Sequence, residues 1–460
     1  MDYRTETDSL GEVKVPADAL WGVQAQRAVE NFPISGLRAH PKLIWATAAV
    51  KKAAAMTNRD MGKLDPVLAG YIIQAADEVM TGLLDAHFVV DVYQAGAGTS
   101  HNMNANEVIA NRVALLMGRP LGEYSACHPN DHVNMSQSTN DVFPTAMRVA
   151  GIASFFELID EVQTLAMSFR NKASEFDGVL KSARTHLQDA VPIRLGQEFS
   201  GYTVAAEKGV AKLISAATEM GELGIGGTAA GTGINSGKGY ASATVSHLRD
   251  ITGFDLRPSP NLFYAMQSQT AILSASAALR GIATDLIRIA NDIRLLSSGP
   301  LTGLAEITPP AVQPGSSIMP GKVNPVMAEM LDMVCFQVVG NDLTVAMAAQ
   351  AGQLELNVMM PVMAHNLLTS STILKNALSA FRTKCVDGLT ADRARCRSYV
   401  DSSPAIATAL NPHIGYMKAA EVAKEAVKTG RSVAEIALEK GYMTEDELKK
   451  ALDPMKLTEP

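Results

Sequence analysis

Between Lys42 and about His87, apolar residues recur every three or four positions, the spacing that lines one face of a helix. The segment from Asp91 to Ser100 is instead dense in glycine and alanine and reads as a loop, with helical character returning at Asn104. A polar, turn-rich stretch, HPNDHVNMSQSTND, runs from His128 to Asp141. Beyond Pro144, Val149, Ile152, Phe156, Ile159, Val162 and Met167 lie mostly three or four apart and predict one side of a long helix reaching about Phe176. From Asn261 to Ser298 there is no proline and one internal glycine, Gly281, so this segment reads as one helix of about 57 Å at 1.5 Å per residue. Further helices are predicted over roughly 326–354 and 361–384, after which TADRARC breaks the pattern. The tail holds three shorter amphipathic segments, KAAEVAKEAV, SVAEIALEKG and TEDELKKALD, and Thr444 followed by Glu447 has the form of a capping box.

Composition sharpens the helical reading. The chain of 460 residues is 47% apolar but only 5% aromatic, so its core must be built from aliphatic side chains, and small ones let helices approach closely. Ala265, Ala271, Ser274, Ala275, Ala277 and Ala278 suit tight helix packing, and a rod longer than a compact domain implies a bundle shared with other subunits; a monomer with a partly exposed helix is the alternative. The formal net charge of -7 comes with both signs interspersed and no lysine or arginine block. That argues against nucleic acid or an anionic membrane as partner, and requires a small anionic substrate to be held by a local site. The consecutive short helices of the tail lack the basic face of a helix-turn-helix module. No uninterrupted apolar run approaches the roughly 20 residues that span a bilayer. The start, MDYRTETDSLGEVKVPADALWG, is charged and broken by Gly11 and Pro16, without the apolar core of a secretory signal. Cys127, Cys335, Cys385 and Cys396 show neither CxxC pairing nor the spacing of a disulfide framework or zinc site, and read as free thiols. The expectation is a soluble cytoplasmic protein without metal or cofactor.

Four segments set hydroxyl, amide or imidazole side chains among small residues: GAGTSHNMN at 96–104, SQSTND at 136–141, ARTHLQDAVP at 183–192 and GSSIMPGKVNP at 315–325. Alone, SQSTND is also what a capped helix start looks like, His186 what a structural histidine looks like, and the last segment what a turn-rich surface loop looks like. In GSSIMPGKVNP, glycines and prolines punctuate a polar run from which Ser316, Ser317, Lys322 and Asn324 can converge on one small anion.

All eleven residues of GSSIMPGKVNP match the signature of the aspartase/fumarase superfamily, enzymes that add to or eliminate across the double bond of fumarate or a fumaryl group. The resemblance extends along the chain through LWGVQAQRAVENFPISG, HVNMSQSTND, THLQDAVPIRLGQEF and LNPHIGYMKAAEVA. It implies a mainly α, three-domain fold: a mostly helical N-terminal domain over 1–140, a central long-helix bundle over 141–395 with a catalytic loop near 315–325, and a small helical domain over 396–460. It also implies a homotetramer with a helical core, whose active sites each draw on three subunits, and a small dicarboxylate substrate.

By the same resemblance, Ser316 is the base that takes the C3 proton. Thr99, Ser138, Thr139 and Ser317 bind the carboxylate that becomes an enediolate, Thr185, His186, Lys322 and Asn324 hold the other carboxylate, Asn140 meets the leaving amino group, and Glu329 pairs with His186. An ordinary helix-face glutamate is the alternative for Glu329. Within the superfamily the choice lies between ammonia elimination from L-aspartate and hydration of fumarate to L-malate; a retired helical scaffold would have eroded the loop that stands intact here. Ser138-Thr139-Asn140-Asp141, Gly96-Ala97-Gly98-Thr99-Ser100 and AGQLELNVM resemble aspartases, whereas Gly226-Gly227-Thr228-Ala229 resembles fumarases, and Met360 and His101 fit neither.

Overall fold

Helix ends fall where caps and glycines put them. In the computed structural model, which describes residues 2–459, an N-terminal hairpin pairs β1 (Tyr3–Asp8) with β2 (Gly11–Pro16), and α1 (Val23–Asn31) follows. The helical stretch expected from Lys42 to about His87 is two helices. α2 (Pro41–Asp60) starts on Pro41 and stops before Gly62 (φ 69°), and Asp65 caps α3 (Pro66–Met80) by accepting from Val67 N and Leu68 N at 3.0 and 2.9 Å. α4 (Thr99–Leu116) begins five residues before the expected Asn104, because the left-handed Gly98 (φ 84°) ends the glycine-rich turn. α5 (Thr139–Glu175) likewise starts ahead of Pro144, which it accommodates near its beginning.

Next come the antiparallel pair β3 (Leu180–Thr185) and β4 (Gln188–Arg194), then α6 (Leu195–Met220). A two-residue parallel pair, β5 (Glu222–Leu223) with β6 (Arg257–Pro258), brackets α7 (Tyr240–Thr252). The single rod expected from Asn261 to Ser298 is broken into α8 (Leu262–Gln267) and α9 (Thr270–Leu296) by an extended Ser268 (ψ 127°). The buried Arg148 guanidinium takes the Ser268 carbonyl at 3.4 Å, a tertiary contact that offsets the lost helical bond. The pair β7 (Ile307–Thr308) with β8 (Thr390–Ala391) flanks α10 (Val326–Gln350) and α11 (Met360–Phe381). Five shorter helices close the chain: α12 (Arg393–Ser402), α13 (Asn411–Ile414), α14 (Tyr416–Thr429), α15 (Val433–Glu439) and α16 (Glu445–Ala451). The capping box expected at Thr444 and Glu447 is present, with a second at Ser432 and Glu435.

The mainly α chain forms two compact units. One comprises Met1–Asp160, Gly209–Ala283 and Cys335–Lys375, and part of its core packs Ile44 and Ala48 of α2, Ile72 and Ala76 of α3, and Val108, Ile109 and Val113 of α4. Each aliphatic side chain larger than alanine buried there is worth about 1.5–3 kcal/mol. The other comprises Glu161–Lys208, Thr284–Val334 and Asn376–Pro460. Phe176 and Tyr202 pack on Phe199 with ring centroids at 5.2 and 5.3 Å, and a separate cluster of Leu410, Val422, Ile436 and Leu448 holds the short C-terminal helices.

Among the described residues three helices are long and apolar enough to cross a membrane by length and composition, α5, α9 and α10, although no continuous apolar run is. Helices apolar on all sides also occupy protein interiors. In α5, 83% of the most apolar window is buried within the protein, against 50% in α9 and 39% in α10.

Candidate active site

The predicted site residues fall in two groups. Thr99, Ser138, Thr139 and Asn140 belong to the first unit; Thr185, His186, Ser316, Ser317, Lys322, Asn324 and Glu329 belong to the second.

In the first unit, Thr99 opens α4, exposed, immediately after Gly98. A Cβ on Gly98 would lie 2.1 Å from the Phe143 ring, and Ala97 N donates to Val358 O at 2.9 Å, so the turn that presents Thr99 is clamped on both sides. Ser138-Thr139-Asn140 opens α5. Asp141, fully buried, fixes that start by accepting from Ser138 N through one oxygen and from Gly226 N and Thr228 N through the other, each at 2.9 Å. Burial raises its carboxyl to about 6, opposed by these N–H groups and by the charge of Lys51. Thr139 Oγ1 accepts from Asn102 Nδ2 at 3.0 Å, which leaves the threonine proton free to donate. Asn140 Nδ2 donates to Ala229 O at 2.8 Å. A carbonyl only accepts, so the amide nitrogen must face Ala229 and Asn140 Oδ1 is left as a free acceptor. Ser138 lines a cavity of about 620 Å³ with Gln137, Thr228 and Ala229 among its other walls.

In the second unit, Thr185 ends β3, pairs with Gln188, and leaves His186 and Leu187 as the two-residue turn between strands. Both have positive φ, 54° and 60°, as a type I′ turn requires. Asparagine and glycine fit such a turn; histidine and, above all, leucine are strained there, a local cost typical of functional positions. The stem resists the strain through charge: Glu306, fully buried, meets Arg184 at 2.8 Å and Lys181 at 3.0 Å, while the Arg184 guanidinium lies 5.1 Å from the Tyr399 ring centroid.

The 315–325 loop is closed at its base by Gly315 N donating to Lys322 O at 2.9 Å and Asn324 Nδ2 donating to Gly315 O at 2.6 Å. Only glycine fits at 315, where a Cβ would come within 2.3 Å of Lys322 O. Inside the loop Ser316 Oγ accepts from Ile318 N at 3.2 Å and Met319 N at 2.9 Å. Two N–H dipoles on one hydroxyl oxygen favour its alkoxide. Ser317 and Lys322 are exposed. Glu329 lies in the first turn of α10, and among the described residues no hydrogen bond or ion pair joins it to His186. Among the described residues no group of three or more His, Cys, Asp or Glu could hold a metal ion.

Residues 11–340 match the family described as Lyase, and residues 406–459 match Fumarase C C-terminus. The chain belongs to the aspartase/fumarase superfamily. An aspartate ammonia-lyase from Bacillus subtilis is 48% identical over 459 residues, spanning 100% of this chain and 97% of that protein. A class II fumarate hydratase from Halobacterium salinarum is 52% identical over 461 residues, spanning 99% and 97%. Among solved structures, a fumarate lyase:delta crystallin from Brucella melitensis bound to cobalt superposes with a TM-score of 0.97 at 48% identity, covering both chains fully. A class II fumarase from Schistosoma mansoni gives the same score at 37% identity, covering 99% of each chain.

For a superfamily member, the two residues that fit neither subgroup have local explanations. Met360 is the first residue of α11 and fully buried, a position that suits an uncharged side chain. His101 is 2% exposed, lies 5.9 Å from each of the Phe88 and Phe143 ring centroids, and shares a 2.9 Å hydrogen bond with Thr47 Oγ1. Burial, then the neighbouring Lys51 charge, lowers it to about 4, so it is neutral at physiological pH. Sequence reading missed Lys51, Asn102, Asn134, Gln137 and Glu306, which support these segments. The one available signal was the density of amides in NMNANEVIANR, since four buried asparagines on one helix need partners.

Proposed function

We propose that this lyase is an aspartate ammonia-lyase, converting L-aspartate reversibly to fumarate and ammonia. The observation that carries the reading is the orientation of Asn140: its free Oδ1 is an acceptor, and the leaving group of L-aspartate is an ammonium rich in donors. In the proposed reaction the Ser316 alkoxide takes the C3 proton, and the C3–H electron pair moves into the adjoining carboxylate, giving a dianionic enediolate. Thr99, Ser138, Thr139 and Ser317 donate to its oxygens as that charge develops. Collapse of the enediolate forms the double bond and expels the C2 amino group, which Asn140 holds. Thr185, His186, Lys322 and Asn324 hold the second carboxylate, with Glu329 paired to His186.

On the superfamily resemblance, we assign each site to three subunits of a homotetramer. The three-domain division at 1–140, 141–395 and 396–460, the absence of nucleic-acid and membrane partners, and a cytoplasmic location belong to the same reading.

Class II fumarase is the second reading. Two observations favour it: Gly227, against which a Cβ would press Met266 Sδ at 2.5 Å, and the 52% identity to a fumarate hydratase. The deciding experiment follows fumarate absorbance with L-aspartate and, separately, L-malate. Turnover of L-aspartate with stoichiometric ammonia supports the ammonia-lyase; turnover of L-malate alone replaces it with the fumarase.

A further inference from the structure

Lys51 lies in the middle of α2, fully buried among alanines, where an unpaired ammonium would cost several kcal/mol. It is paired with amides. Its Nζ donates to Asn134 Oδ1 at 2.8 Å and to Gln137 Oε1 at 3.0 Å, both in the turn that leads into Ser138-Thr139-Asn140. Asn134 Oδ1 also accepts from Asn102 and Asn106, each at 3.3 Å, and Asn102 Nδ2 in turn lies 3.0 Å from Thr139 Oγ1. A buried lysine amine, an oxygen on which three donors converge, and the Thr139 hydroxyl therefore form one connected network.

The ionisable groups that act on Lys51 are Asp141 of α5 and His101 of α4. His101 is neutral at physiological pH, and Asp141 spends both oxygens on three backbone N–H groups. Burial brings the lysine down to about 7, with Asp141 opposing. A lysine held at this cost behind the segment that carries Thr139, and charged below about pH 7, is out of place in a purely structural core, where a methionine would fill the same volume.

We propose that Lys51 is a positioning residue for elimination: acting through Asn134 and Asn102, it holds Thr139 Oγ1 with its proton outward and, in its protonated form, sets a positive potential behind the carboxylate that becomes dianionic. The role rests on the enediolate reading above and is the same for L-aspartate and L-malate, since both pass through that intermediate. It is a transition-state role, so its loss acts on the dianion more than on the ground-state carboxylate.

The test is Lys51→Met, near in volume and uncharged, measured with two ligands. Succinate presents ordinary carboxylates; 3-nitropropionate, added as its nitronate, presents two oxygens carrying the extra charge. The variant is expected to lose about 10²-fold in kcat/KM and a similar factor in nitronate affinity, while succinate affinity changes less than about threefold. Equal losses for both ligands reduce Lys51 to a structural residue, and unchanged kcat/KM removes the role altogether. Should Lys51→Met fail to fold, Asn102→Ala interrupts the relay and leaves Lys51 its two amides. That variant is expected to lose about 10-fold with the same preference for the nitronate, and unaltered nitronate affinity overturns the proposal. Wild-type turnover of neither substrate, with the nitronate bound no more tightly than succinate, overturns the enediolate reading and this role together; turnover with undiminished variants overturns the role alone.

Discussion

Ser316 Oγ already receives two backbone N–H groups, so the cost of its alkoxide is partly met by the loop itself. Ser316→Ala is expected to lower turnover by about 10³-fold or more with melting temperature unchanged, and comparable activity would remove Ser316 from the base role. His101 makes a second prediction at this scale. Its folded value of about 4 lies below the ordinary 6.5, so between these values the unfolded chain binds a proton that the native protein does not. Stability therefore falls as pH drops from about 6.5 to 4, by at most about 3 kcal/mol from this group. His40, also lowered to about 4 by burial, acts in the same sense, so the readout is the difference between wild type and His101→Gln in denaturant unfolding. That difference should change in the variant's favour on acidification; parallel curves would show that His101 is protonated without penalty. The loop that carries Ser316, Lys322 and Asn324 was legible in the chain because its hydroxyl, amine and amide groups are contiguous in sequence. Lys51 was not, since a lysine at helical spacing looks like a solvated face until neighbouring helices enclose it.

Elements carry strain that single residues do not reveal. The β3–β4 turn places Leu187 at φ 60°, and Leu187→Gly should stabilise the protein by about 1 kcal/mol in chemical denaturation by relieving it. No gain would mean that the stem already sets the turn at no cost. Gly98→Ala works in the opposite direction, forcing a Cβ into the Phe143 ring and a side chain into positive φ. It should cost about 2–4 kcal/mol and lower kcat/KM by displacing Thr99, checked by thermal unfolding and steady-state rates. Helix existence was readable from periodicity, but the break at Ser268 was not. No glycine or proline marks it, and the Ser268 carbonyl it frees meets Arg148, 120 positions away in the sequence.

The whole molecule shows an apolar stripe on α10 that the chain itself leaves uncovered. Met333, Phe336, Leu343 and Met347, at spacings of three, seven and four, are each more than half exposed. The proposed tetramer would cover this stripe, so Leu343→Asp should reduce the mass measured by light scattering and abolish activity. A fully active monomer would overturn the shared-site arrangement. The chemistry-bearing segments, the preponderance of helix and the superfamily were determined by the sequence itself, because loop motifs, apolar periodicity and caps are local properties of neighbouring residues. Tertiary structure alone decided which polar residues are buried, where the long helices break, that Asn140 sets its amide nitrogen on Ala229 O, and that Lys51, Asn134, Asn102 and Thr139 form one network. Burial, amide orientation and hydrogen-bond partnership are set by groups distant in the chain, and no local pattern encodes their meeting.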